Sequence, residues 1–127
     1  MRYMPCGSDL GQEATEKARV AGLHAGGLAA ITYTREGICA SYQEPYDEAV
    51  SKGAFLKRTD GTPYTFNTFV GSGVTQLGMF DFTDPDTQRI YASILDRAYD
   101  AGYDGWMEDY GEYAPPDSVS TSGIRGK

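Results

Sequence analysis

The chain has 127 residues, 40% hydrophobic and 23% charged, with a formal net charge of −7, which is room for one modest domain with a real core and excludes wholesale disorder. The acidic balance, with Lys and Arg scattered singly, excludes a nucleic-acid footprint and disfavours an anionic membrane surface. No run nears the roughly 18 apolar residues of a membrane span, and the start MRYMPCGSDLGQ has no apolar stretch after its one Arg, so it does not read as a secretory signal, and the expectation is either a cytoplasmic location or a sequence that lacks its true N-terminus.

Ser8 and Asp9 are N-cap residues for a first helix, predicted from Gly11 to His24, with apolar positions at Ala14, Ala18, Ala21 and Leu23. Gly26-Gly27 stops it. His24, the single histidine, stands at that helix end, where it is expected to interact with the last carbonyls. Leu28 to Thr34 (LAAITYT) does not alternate cleanly and reads as a strand buried on both faces of a parallel sheet. From Arg35 to Gln76 the pattern is irregular. Pro45 to Lys52 suits a short helix, and Phe55–Lys57 and Tyr64–Phe69 suit strands paired across the turn signal Asp60-Gly61. Gly71 to Gly73 reads as loop.

Leu77 to Phe82 (LGMFDF) reads as a second strand. A helix follows, capped by Asp84, with Pro85 in its first turn and an apolar stripe at Ile90, Ile94, Leu95 and Ala98. Gly102 ends it, and Tyr103 to Asp109 reads as a third strand. Leu77 to Asp109 has the length of one βαβ crossover, so the chain order argues for α/β with about three parallel core strands. Tyr113 to Lys127, rich in Pro, Ser, Thr and Gly, reads as loop or a frayed end.

Cys6 and Cys39 lack CxxC spacing, so two free thiols are expected ahead of the alternative of one disulfide, and neither a metal site nor a cofactor is implied. Ligands of α/β folds bind beyond the carboxyl ends of the strands, and two acidic segments lie there. In Asp81–Asp86 (DFTDPD), Asp84 and Asp86 are explained by helix capping, whereas Asp81 precedes the cap and is free to face the strand ends. In Gly105–Glu112 (GWMEDYGE), alternation puts Tyr103, Gly105, Met107 and Asp109 on one face and Asp104, Trp106 and Glu108 on the other. A carboxylate at a strand tip above Met and Gly makes a plausible active-site wall. A solvated acidic loop fits the same composition.

GWMEDYGE, followed by Tyr113-Ala114-Pro115, resembles the nucleophile segment of glycoside hydrolase family 31, a strand-end W-x-x-D-[FYM]-[GN]-E run, in its D-F-G-E branch of sulfoquinovosidase-like and some α-xylosidase-like or α-glucosidase-like members. Gly78–Pro85 (GMFDFTDP) is similar to that family's DFTNP segment, with Asp84 in place of Asn. Leu23–Tyr42 is similar to its preceding helix–strand segment, with Thr34-Arg35 replacing an Asn-Pro-like turn. The resemblance covers most of Leu23 to Asp117. It implies part of a (β/α)₈ barrel and retaining hydrolysis of α-linked glycosides or oligosaccharides, with Asp109 as nucleophile and Met107 facing substrate. Asp81 joins them as a substrate-binding candidate. The family's acid/base aspartate lies on a later strand, and a whole barrel takes about 250 residues. Glu108 and Glu112 are poor substitutes, the first pointing away and the second a loop residue. The expectation is thus an incomplete catalytic barrel, inactive alone, whose open strand edges invite self-association. A non-catalytic carbohydrate-binding or interaction module using the Tyr-rich loops, and an unrelated α/β domain, remain as alternatives.

Overall fold

The computed structural model describes residues 13–70, 73–111 and 113–126. In chain order the elements are α1 (Glu13–Ala25), β1 (Ile31–Arg35), β2 (Gly37–Cys39), α2 (Gln43–Lys52), β3 (Lys57–Arg58), β4 (Thr65–Val70), β5 (Gly73–Met79), α3 (Pro85–Asp100), β6 (Gly105–Asp109) and β7 (Ser118–Val119). The α/β class holds, and its functional end is built on one parallel pair, β1 with β6. The capping residues Ser8 and Asp9 and the Gly71-Ser72 part of the expected loop lie outside the described residues.

Each helix ends for a local reason. Gly27 adopts φ 74°, and the Leu28 amide returns to the Leu23 carbonyl at 3.0 Å. This closure consumes Leu28, so β1 begins three residues later than the apolar run suggests. At the start of α3, Asp84 accepts from the amides of Asp86 and Thr87, satisfying donors that the helix cannot pair itself. Ile90 and Ile94 of α3 are fully buried against α2 and the strands, in a cluster with Ile38, Tyr42, Tyr46, Phe55 and Phe80. Ala98 sits in a second cluster with Val20, Ala30 and Tyr103, which joins α1 to the base of β1 and β6.

Several expectations are corrected. The strand before α3 is not a third parallel strand. β5 runs antiparallel to both β2 and β4, and β1–β6 is the one parallel pair among the described residues. Leu77, Met79 and Phe80 are buried, so the run reads like a doubly covered parallel strand. Burial does not report strand direction. Asp60-Gly61 does make a turn, with Gly61 at φ 85° and Arg58 N–H bonded to the Thr62 carbonyl. The chain pairs across it, with Lys57 bridging Pro63 and the Tyr64 amide bonded to the Leu56 carbonyl at 2.7 Å, but the longer ladders are β4 with β5 and β3 with β7. The segment from Tyr113 is mostly loop, yet it is held: Ser118 is buried, and Val119 bridges Arg125.

On α1 the alanines face solvent while Glu16 and Val20 are buried. Glu16 accepts the Tyr103 hydroxyl at 2.6 Å, and Arg19 contacts both. His24 bonds Asp104 Oδ2 at 2.8 Å instead of the last helix carbonyls, and the same oxygen accepts the Ala30 amide at 2.7 Å. Asp104 thereby ties α1 to the entry of β1, and its carboxyl is held below the usual range by the Ala30 amide first and His24 second. Cys39 is disulfide-bonded, not a free thiol. Its sequence spacing carries no pairing signal.

Gly78 is where the antiparallel sheet meets the aromatic core. A Cβ there would lie 2.3 to 2.7 Å from three ring atoms of Phe55, a buried side chain packed between Tyr46 and Phe80. The ring has no room to retreat. Gly78→Ala is therefore expected to destabilise the chain by about 1–3 kcal/mol through overpacking, read as a lower urea midpoint. An unchanged midpoint would refute that packing.

Candidate active site

Parallel pairing sets Ile31 beside Gly105, Tyr33 beside Met107 and Arg35 beside Asp109. Because partners in register share a face, these six residues line one side of the β1–β6 ribbon. Thr32, Thr34, Trp106 and Glu108 line the other. The second side faces α3. There the Tyr91 hydroxyl donates to Glu108 Oε2 at 2.6 Å and contacts Thr34 Oγ1 at 2.9 Å. Burial, then the Glu108 hydrogen bond, raises the Tyr91 phenol well above its usual range. Glu108 is thus engaged away from Asp109. Glu112 lies outside the described residues.

At the carboxyl end of β6, both oxygens of Asp109 are held. Tyr33, buried on β1, donates its hydroxyl to Oδ2 at 2.6 Å. The Tyr110 amide donates to Oδ1 at 3.0 Å. Tyr33 stays protonated as a donor because burial, followed by the Asp109 hydrogen bond, pushes its phenol far above the normal range. Tyr110 adopts φ 64°, and it alone among the described non-glycine residues has a positive φ. For an L-residue that conformation costs roughly 1–2 kcal/mol. Side-chain contacts offset the strain. The Arg35 guanidinium lies over the Tyr110 ring at 5.0 Å, and the Tyr113 ring packs at 5.7 Å. Arg35 is fixed in turn by Glu36 Oε1 at 3.0 Å.

Met107 shares the Asp109 face and is 44% exposed, leaving it available to a ligand. Asp81 follows β5 and is buried. Burial pushes its carboxyl up, but hydrogen bonds from the Thr83 hydroxyl, the Thr121 amide and the Thr83 amide outweigh it and hold the group below the usual range. Asp81 lines a cavity of about 190 Å³ together with Glu36, Gly111, Ser118 and Arg125. The fold therefore brings Asp109, Met107 and Tyr33 together on one face of the ribbon, whereas Asp81 lines a cavity whose wall includes none of the three. Tyr33, Arg35 and Glu36 escape sequence reasoning. Their relation to Asp109 depends on the β1–β6 register, and the one local signal is a Tyr inside an apolar run.

A carboxylate at a parallel strand tip, with a protonated phenol on one oxygen, is an arrangement suited to nucleophilic attack. Residues 12–125 match the model of the glycosyl hydrolases family 31 TIM-barrel domain. The chain belongs to glycoside hydrolase family 31. It is 29% identical over 113 residues to a sulfoquinovosidase of Agrobacterium fabrum, covering 87% of this chain and 16% of that protein. It is 30% identical over 88 residues to the Escherichia coli sulfoquinovosidase, covering 67% of this chain and 12% of that one. Among solved structures, a family 31 sulfoquinovosidase from E. rectale in complex with an aza-sugar inhibitor superposes with TM-score 0.69 at 29% identity, over 86% of this chain and 16% of that one. A Flavobacterium johnsoniae dextranase complexed with glucose gives TM-score 0.72 at 22% identity, covering 85% of this chain and 14% of that one, a likeness of fold. The chain spans 16% or less of the curated relatives it matches, and these residues form part of a barrel.

The Asp81 clasp carries a pH prediction. Its folded pKa is depressed, so its stabilisation is present above the unfolded value of about 3.9 and is lost as pH falls from there through the folded value. Asp81→Ala is expected to cost about 1–3 kcal/mol at pH 7 and to flatten that part of the acid limb in a series of urea melts. An acid limb unchanged in the variant would rule Asp81 out as its source.

Proposed function

We propose that this chain supplies the nucleophile wall of a retaining α-glycosidase, with Asp109 as the nucleophile. The observation that carries the reading is Asp109 at the carboxyl tip of β6, locked by register to β1 and held by the Tyr33 hydroxyl. Asp109 attacks the anomeric carbon of an α-linked glycoside. The bond to the leaving oxygen breaks, that oxygen takes a proton from a carboxylic acid, and a glycosyl ester forms on Asp109. Water then attacks the same carbon, the ester electron pair returns to Asp109, and the second carboxylate removes the water proton. The two carboxyl groups need a separation of about 5–5.5 Å. Glu108 is turned to Tyr91 on the opposite face of the ribbon, and we assign the acid/base to barrel strands beyond these residues.

Met107 forms the floor of the sugar site beside Asp109, and Asp81 a polar wall at the cavity. These residues by themselves are expected to be inactive, because Asp109 has no acid/base partner among them. In the complete barrel, a mechanism-based fluoroglycoside is expected to label Asp109, and Asp109→Asn to lower kcat on the order of 10⁴-fold. Labelling of another residue would sink the assignment.

A part-barrel also leaves strand edges open. Among the described residues β6 pairs with β1 on one side, and Trp106 and Met107 are exposed. We expect the isolated 13.8 kDa chain to self-associate through this edge. Sedimentation should show species larger than the monomer. A monomer that melts sharply and reversibly would contradict the expectation.

A further inference from the structure

We propose that Tyr33 is a positioning residue that drives release of the sugar from Asp109. The inference rests on the reading of Asp109 as nucleophile and adds to it the residue controlling the second half of the reaction. Tyr33 is 5% exposed, it lies opposite Met107 in the parallel register, and its hydroxyl donates to Asp109 Oδ2 at 2.6 Å. The other oxygen accepts the Tyr110 amide, which the strained backbone at Tyr110 aims back at the carboxylate. Burial and the neighbouring carboxylate keep the Tyr33 proton in place.

The chemistry gives this contact a direction. In the free enzyme the phenol faces a carboxylate. In the glycosyl-enzyme the carboxylate has become an ester, and the hydrogen bond is to a neutral group. When water attacks the anomeric carbon, the carbon–oxygen bond to Asp109 breaks with its electron pair returning to the carboxylate. The water proton passes to the second carboxylate acting as base. Negative charge thus reappears on Asp109 beneath the Tyr33 hydroxyl, and a hydrogen bond to a charged acceptor is roughly twice as strong as one to a neutral acceptor. Tyr33 therefore stabilises the departing nucleophile more than the ester, which is the condition for accelerating deglycosylation. In glycosylation the same bond weakens as charge leaves Asp109, so Tyr33 does not aid that step. Arg35 over Tyr110 fixes the second donor, so both oxygens keep their orientation through the cycle.

The test uses the complete barrel enzyme with an activated aryl glycoside, for which breakdown of the glycosyl-enzyme limits turnover. Tyr33→Phe is expected to lower kcat and KM together by about tenfold, leaving kcat/KM undiminished or raised. Reactivation of the fluoroglycoside-trapped enzyme slows by the same factor, while Asp109 remains the labelled residue. Loss of a merely structural contact would not move kcat and KM in parallel. A kcat, KM and reactivation rate all within about twofold of wild type would overturn the inference while leaving the Asp109 assignment intact. A label on a residue other than Asp109 overturns both. If Tyr33→Phe fails to fold, replacement of Tyr33 by 3-fluorotyrosine, a stronger donor of nearly the same shape, is expected to reactivate faster than wild type. Equal or slower reactivation would count against the inference.

Discussion

The parallel register of β1 and β6 is the constraint on which the site depends. It places Arg35 against Asp109 and Tyr33 against Met107, five paired positions in all. A slip of one residue would turn Asp109 toward α3 and Glu108 toward the Tyr33 side, because strand side chains alternate. Both ends of the ribbon are pinned. At the amino end, Asp104 accepts the Ala30 amide and His24, while Tyr103 docks on Glu16. At the carboxyl end, the Tyr33–Asp109 hydrogen bond and the Arg35–Tyr110 stacking close the pair. The contacts that look peripheral, on α1 and its last turn, hold the register that aims the carboxylate.

Two acidic groups on this ribbon are separated by environment. Asp109 meets a phenol and a backbone amide on the face away from α3, and Glu108 meets Tyr91 and, through it, Thr34 on the face toward α3. Adjacent in sequence, they have different chemistry because adjacent strand residues have opposite surroundings. Asp81 shows a third treatment. It is buried and fully engaged as an acceptor from two threonines, and it clasps the turn after β7 to the start of α3. A carboxylate so engaged shapes the cavity wall, whereas Asp109 retains lone pairs for reaction.

Much of this was readable from local signals. The Asp84 cap, Pro85, the Ile90–Ile94 stripe and the Gly102 stop place α3 within a residue or two, since caps and periodicity are properties of adjacent residues. The family followed from three ordered segments, and the matched barrel domain agrees. Other readings failed where the deciding partner lies far along the chain. The apolar run at β5 gave burial but not direction, and although Tyr64–Phe69 reads as a strand, nothing in it or in β2 names β5 as the partner. The apolar spacing of α1 predicted a helix but not its buried face, where Glu16 went inward because Tyr103, 87 residues away, supplies its hydrogen bond. Cys39 gave no hint of pairing, for spacing alone carries none.

The sequence by itself determined the helix boundaries, the α/β class, the family and Asp109 as the candidate nucleophile. These rest on short-range patterns: capping side chains, apolar periodicity and a strand-end motif. The tertiary structure alone decided which carboxylate faces the site, which strand lies beside it and what holds it there. Tyr33 and Asp109 are 76 residues apart, and nothing in either segment names the other. Their meeting is set by the register of a parallel ladder, which arises from the packing of α1 and α3 on the ribbon and from the ties at Asp104 and Tyr103. Long-range pairing of that kind is a property of the folded chain as a whole, which is why a local motif could name the candidate nucleophile and not the hydroxyl that holds it.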